Sequence, residues 1–120
     1  MNCQQYNAFC RSLPATTYVC QWGGAHVWKV GGKVFAIGSP MTGDRLGVTF
    51  KTSDLNYEML RAQPGLRPAP YLASRGMKWI QHHDQPGLAY GDLGYFIRES
   101  HRIVSQGLSK RKQRELGLIG

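Results

Sequence analysis

Two glycine pairs, Gly23-Gly24 and Gly31-Gly32, cut a stretch rich in Val, Tyr, Trp and Phe into short segments, and this punctuation constrains the fold more than any other feature of the chain. The segments Thr17–Gln21, His26–Val30 and Lys33–Gly38 read as strands, because β-branched and aromatic side chains suit a pleated, half-buried surface. Glycine supplies the positive φ angles that a two-residue hairpin demands. A turn at Gly31-Gly32 therefore predicts that Val30 pairs with Lys33, Lys29 with Val34 and Trp28 with Phe35, with Trp28 and Phe35 neighbours on one buried face. From Arg45 to Lys51, Leu46, Val48 and Phe50 alternate with Gly47, Thr49 and Lys51, the pattern of a fourth strand with one polar side.

Helices bracket this meander. Tyr6, Phe9, Cys10 and Leu13 recur at helical spacing ahead of Pro14, which predicts a helix from about Asn2 to Ser12, since proline cannot continue one. Ser53 and Asp54 open a short second helix carrying Leu55, Met59 and Leu60, and Pro64-Gly65 closes it. Pro68 and Pro70 make Leu66–Ala73 an extended connection leading to a strand at about Met77–His83. Asp92 is a candidate cap for a last helix, with Leu93, Phe96, Ile97, Ser100, Ile103, Val104 and Gly107 along one side and Arg98, Arg102 and Ser105 along the other. The predicted order is α-β-β-β-β-α-β-α, a single α/β (α+β) domain over residues 1–120.

A chain of 120 residues can bury a core as one domain. Glycine and proline together make 21 of its 120 residues, too few for a low-complexity chain, and no block repeats at a fixed period. Apolar runs such as Val34–Ile37 are far shorter than a membrane span, and the polar start Met1-Asn2-Cys3-Gln4-Gln5 has no basic or apolar leader. A cytosolic location is the expectation. The three cysteines, Cys3, Cys10 and Cys20, are odd in number and lack a C-x-x-C, so reduced thiols are expected rather than a disulfide framework or a zinc site. Cys10 falls on the apolar side of the first helix and reads as a small core residue.

Fifteen Lys and Arg against seven Asp and Glu leave a net charge of +8, and the segment from Arg98 onward holds six of the cations and two of the acids. Such a surplus favours anionic partners, nucleic acid first and acidic lipid or protein next. Catalytic chemistry finds no set of residues. Gly31-Gly32-Lys33 lacks the first glycine and the following Ser or Thr of a phosphate-binding loop, and paired acids at a useful spacing are absent. His82-His83-Asp84 suggests a metal, but neighbouring residues on a strand point to opposite faces and no third ligand is suitably spaced. No enzyme activity, metal or cofactor is expected.

Four stretches carry a family resemblance: Phe9-Cys10-Arg11-Ser12-Leu13-Pro14, Val30-Gly31-Gly32-Lys33-Val34-Phe35-Ala36, Arg67-Pro68-Ala69-Pro70-Tyr71-Leu72 before Trp79, and Ser100-His101-Arg102-Ile103-Val104 with Leu108-Ser109-Lys110-Arg111. In this order, over nearly the whole chain, they resemble the MmcQ/YjbR family of small bacterial proteins. His101 stands where many relatives carry an aromatic residue. The resemblance implies a frataxin-like (CyaY-like) antiparallel sheet packed against terminal helices, and a double-wing mode of DNA binding. Frataxins present acidic faces to iron, whereas this chain is basic, so the shared fold carries no iron chemistry across.

Under that reading the candidate nucleic-acid contacts fall into two groups. Lys29 and Lys33 flank the Gly31-Gly32 turn and Arg45 opens the next strand, three cations on what reads as adjacent hairpin tips. Arg98, Arg102, Lys110, Arg111, Lys112 and Arg114 form a basic strip on the C-terminal segment, able to neutralise phosphates and release counterions. The plainer alternative is that the first group solvates strand ends and the second stabilises a helix C-terminus and a frayed tail. Trp22 and Trp28 would stack on bases if exposed, though large aromatics more often build the core. The expected function is DNA binding, to double-stranded DNA, as a regulator or accessory factor. The competing one is a small-molecule or protein-binding module with its pocket between sheet and terminal helices.

Overall fold

The computed structural model describes residues 1–43, 45–70, 72 and 76–119. Helix α1 (Cys3–Ser12) begins at a capping box: the Asn2 side chain accepts from the Gln5 amide at 2.8 Å and the Gln5 side chain accepts from the Asn2 amide at 3.0 Å. These two bonds satisfy N–H groups that a helix start otherwise leaves unpaired. It ends at Leu13, extended at φ −80° and ψ 150°, as the residue before a proline must be. Strands β1 (Thr16–Gln21), β2 (Ala25–Val30), β3 (Lys33–Pro40) and β4 (Leu46–Lys51) form the predicted meander. Ser53 caps α2 (Asp54–Leu60), accepting from the Asn56 amide at 3.2 Å.

The connection expected from Leu66 onward holds an additional strand. Leu66–Pro68 is β5, antiparallel to β6 (Trp79–His82), and β6 pairs with β4, so the six strands lie in the order β1-β2-β3-β4-β6-β5. Pro68 is tolerated because β5 is an edge strand, where a missing N–H breaks no ladder. Tyr71 and residues 73–75 of that connection, the former within the resemblance above, lie outside the described residues.

Helix α3 (Tyr90–Gln106) starts earlier than Asp92 implied. Its cap position is Ala89, without a side-chain bond, and Asp92 sits in the first turn, where a carboxylate still favours the positive end of the helix. A fourth helix, α4 (Lys110–Glu115), replaces the expected tail, started by Ser109, whose hydroxyl accepts from the Lys112 amide at 3.1 Å.

Register at the central hairpin also differs from the sequence reading. Val30 pairs with Lys33 and Lys29 with Val34 as predicted, but a bulge shifts the ladder so that Trp28 pairs with Ala36 rather than Phe35. Two residues facing one place both side chains on the same side, and so Phe35 and Ala36 both enter the core, each 0 % exposed, beside Trp28. The ring of Phe35 meets His101 of α3 edge-on, with centroids 5.1 Å apart.

Helices α1 and α3 cover one face of the sheet, and the core between them includes Tyr6, Cys10, Val48, Phe50, Leu93 and Ile97. The Tyr6 ring lies so close over Gly38 that a Cβ there would come within 2.6 Å of it. Where the bulge interrupts the ladder, Ser100 of α3 replaces a strand partner: its hydroxyl donates to the Phe35 carbonyl at 2.6 Å and accepts from the Lys51 amide at 2.8 Å. No helix among the described residues is long and apolar enough to cross a membrane.

Candidate functional site

The Gly31-Gly32 turn has φ of +58° and +84°, the left-handed backbone for which glycine has no steric penalty. Gly31 is needed for a second reason. A Cβ on it would lie 2.6 Å from Leu108 and 3.2 Å from Leu116, the residues flanking α4. The last helix is therefore seated on the hairpin turn. Gln113, 3 % exposed, locks the seat by donating from Nε2 to the Leu108 carbonyl at 2.8 Å, while its own carbonyl accepts from the Leu118 amide at 2.9 Å.

With its inner side so held, α4 presents Lys110, Arg111, Lys112 and Arg114 to solvent beside the turn that carries exposed Lys33. Arg111 is paired with Glu115 at 3.2 Å. Among the described residues, Lys33, Lys110, Lys112 and Arg114 have no ion-pair partner. Lys29 is half-buried, on the sheet face away from the helices, between Thr17 and Val34.

Arg98 and Arg102 border a cleft of about 460 Å³ floored by Leu13, Pro14, Leu118 and Ile119. The Arg98 guanidinium stands 5.4 Å from the centroid of Phe9. Arg102 grips both carboxylate oxygens of Glu99 at 2.9 to 3.2 Å, and these bonds raise its already high pKa. Of this pair, Arg102 is thus the cation already neutralised.

Arg45 is elsewhere. Strand β3 runs its eight residues between the two turns, a length of about 25 Å, and Arg45 follows the far one, bonded to Asp84 at 2.6 Å. The Asp84 carboxyl is held below its usual range, first by the Gln85 amide it accepts from and then by Arg45. Lys33 and Arg45 are therefore at opposite ends of the sheet, not on adjacent tips. A meander reverses direction at each turn, so alternate turns share an end and successive ones do not.

Trp28 is core at 2 % exposure, whereas Trp22, on the β1–β2 turn, is 64 % exposed and borders a cleft of about 350 Å³ with Ile37, Thr49, Pro70 and Leu72. His83 lies beyond the end of β6, so strand alternation does not separate it from His82, and both border a third cleft of about 280 Å³ beside Arg45 and Asp84. Among the described residues no three His, Cys, Asp or Glu are grouped as metal ligands would be.

Sequence reasoning missed α4 and with it the junction of the two basic groups. The signal was present: Ser109 followed by Lys110-Arg111-Lys112-Gln113-Arg114-Glu115, with Leu108 and Leu116 on either side, is a capped helical turn between two apolar anchors.

A six-stranded antiparallel sheet with helices on one face and a cationic end defines a small α+β domain of a known kind. The chain belongs to the MmcQ/YjbR family, whose YjbR model matches residues 11–103. Among solved structures, Deinococcus radiodurans protein DR2400, which carries the DUF419 domain, superposes with a TM-score of 0.82 at 25% identity, over 97% of this chain and 88% of that one. A Pseudomonas syringae protein superposes with a TM-score of 0.66 at 20% identity, over 86% of this chain and 98% of that one, which speaks to fold alone. The curated proteins contain no match.

Proposed function

We propose that this chain is a cytoplasmic, non-enzymatic protein that binds double-stranded DNA through phosphates, as a regulator or accessory factor. The observation that carries this reading is the seating of α4 on the Gly31-Gly32 turn, which puts Lys110, Lys112 and Arg114 on an ordered helix at the end of the molecule that holds Lys33. Four cations with no ion-pair partner among the described residues, in a chain of net charge +8, form an electrostatic footprint for a polyanion. Fixed geometry is an advantage here, because ordered cations lose less entropy on contact than those of a mobile tail.

Fluorescence anisotropy with a labelled duplex tests it. Affinity falls steeply between about 50 and 200 mM salt if counterions are released, by about 0.9 logarithmic unit of slope per phosphate contact. Replacing Lys33, Lys110, Lys112 and Arg114 together with Gln lowers that slope, and Arg45→Gln does not. Absence of binding at the lowest salt sinks the proposal. The competing reading rests on the cleft of about 460 Å³ between α1, α3 and the C-terminal segment. It requires saturable binding that hardly varies with salt and is lost on widening or blocking that cleft, for example by Leu118→Trp.

A further inference from the structure

The three cysteines occupy three different environments. Cys10 is fully buried, and its thiol is pushed up to about 12, so it stays protonated and inert. Cys20 is exposed on β1. Cys3 opens α1, half-buried, with its Sγ 3.3 Å from Nε2 of His26 at the start of β2. On the other side of the imidazole, His26 Nδ1 and the Tyr18 hydroxyl lie 2.7 Å apart in a hydrogen bond. Asn7 donates from Nδ2 to the same sulfur at 3.6 Å and is itself fixed by accepting from Trp28 Nε1 at 2.9 Å. The Tyr6 hydroxyl holds the His26 backbone by donating to its carbonyl at 2.8 Å.

Thiol, imidazole and phenol thus stand in line from three elements, with an amide donor beside the sulfur. This is the arrangement that activates a nucleophile: a base within reach of the thiol, the base oriented by a third group. We propose that Cys3 is a nucleophilic thiol, served by His26 as proton acceptor and positioned through Tyr18, that reacts with hydroperoxides. None of the three clefts described above includes Cys3 or His26, which suits a small diffusing reactant rather than a bulky substrate. Cys3 is half-buried and Tyr18 is 43 % exposed, so the line of groups runs from the helix start to the surface.

In the reaction His26 Nε2 takes the thiol proton. The Cys3 thiolate attacks the terminal, hydrogen-bearing oxygen of the hydroperoxide, an S–O bond forms and the O–O bond breaks. Sulfur loses two electrons and the peroxide gains them. The departing alkoxide or hydroxide takes the proton from His26 and leaves as alcohol or water, and Cys3 is left as the sulfenic acid. This site is at the start of α1, whereas the cationic end lies past its C-terminus, so the proposal stands independently of DNA binding.

The test uses the full chain with Cys20→Ser, so that Cys3 is the one accessible thiol. Cys3 should react with iodoacetamide at pH 7 at least tenfold faster than glutathione does, with a pH midpoint below the ordinary thiol value near 8.5. Hydrogen peroxide should convert Cys3 to a product that dimedone traps, located by mass spectrometry. His26→Gln should slow both reactions at least tenfold and move the midpoint up, and Tyr18→Phe should move it by less. The ionisable groups coupled to Cys3 are Tyr6 of α1 and Tyr18 on β1, and Arg11 of α1 acts on Tyr18, with Cys20 removed. A Cys3 that reacts no faster than glutathione, or that alkylates fast but gives no dimedone adduct, overturns the proposal. So does an unchanged profile in His26→Gln that retains the native circular dichroism. The profile of the chain with His26 intact decides the matter if that variant fails to fold.

Discussion

His101 bridges the end of α1 and the bulged strand. The Pro14 carbonyl can only accept, so Nε2 of His101 carries the hydrogen of their 2.8 Å bond, and the ring's other contact is the edge-on one with Phe35. Burial pushes its pKa below the ordinary 6.5, outweighing the bond to Pro14. The unfolded chain therefore takes up a proton that the folded chain refuses. Stability from this group is complete above about 6.5 and is lost as pH falls below it toward the folded value. His82 and His83, also lowered chiefly by desolvation, act in the same direction. Urea melts at pH 7.5 and 5.5 should show the loss, and His101→Phe should shrink it. That variant keeps an aromatic ring against Phe35 but strands the Pro14 carbonyl, for about 1 to 3 kcal/mol at pH 7.5. Phe35→Ala empties a fully buried site and should cost about 3 to 5 kcal/mol, much of a small domain's total. Burial of Phe35 and Trp28 was legible in the sequence. The meeting of Cys3 with His26 was not, because it joins residues 23 apart through a packing event that no spacing rule describes.

At the scale of elements, the turn and α4 form one unit. Gly31→Ala imposes a left-handed backbone on a residue with a Cβ and drives that Cβ into Leu108, whereas Gly32, at φ +84°, faces open space. Gly32→Ala should therefore cost about 1 to 2 kcal/mol, the backbone term alone. The Gly31 substitution should add about 1 to 3 kcal/mol of overpacking and expose α4 to trypsin at Lys110 and Arg111, which limited proteolysis would show. The strands of the meander, α1 and α2 were readable because period, turn glycines and caps agree there. The bulge was not, since β2 and β3 alternate well enough for either register and His101 and Ser100 of α3 make the observed one favourable. Strand β5 escaped for a similar reason: two prolines spell an extended connection, and only a neighbour such as β6 turns an extended segment into a strand.

For the whole molecule, four cations without an ion-pair partner among the described residues gather at the end of the sheet that holds the Gly31-Gly32 turn. Neutralising Lys33, Lys110, Lys112 and Arg114 should weaken duplex binding about equally on sequences of different composition, since phosphate contacts carry no base information. The Ser100 hydroxyl has another consequence, visible in time rather than in energy. The Lys51 amide belongs to a strand, yet the group it donates to is a helix side chain. Its hydrogen can exchange with solvent only when α3 lifts from the sheet, whatever the strands around it are doing. Lys51 should thus exchange at the pace of the central α3 amides and not of the β3–β4 ladder, and Ser100→Ala should release it from that clock. A single amide then times the separation of the two layers, and its rate with and without bound DNA would tell whether a ligand at the cationic end slows the opening of the core.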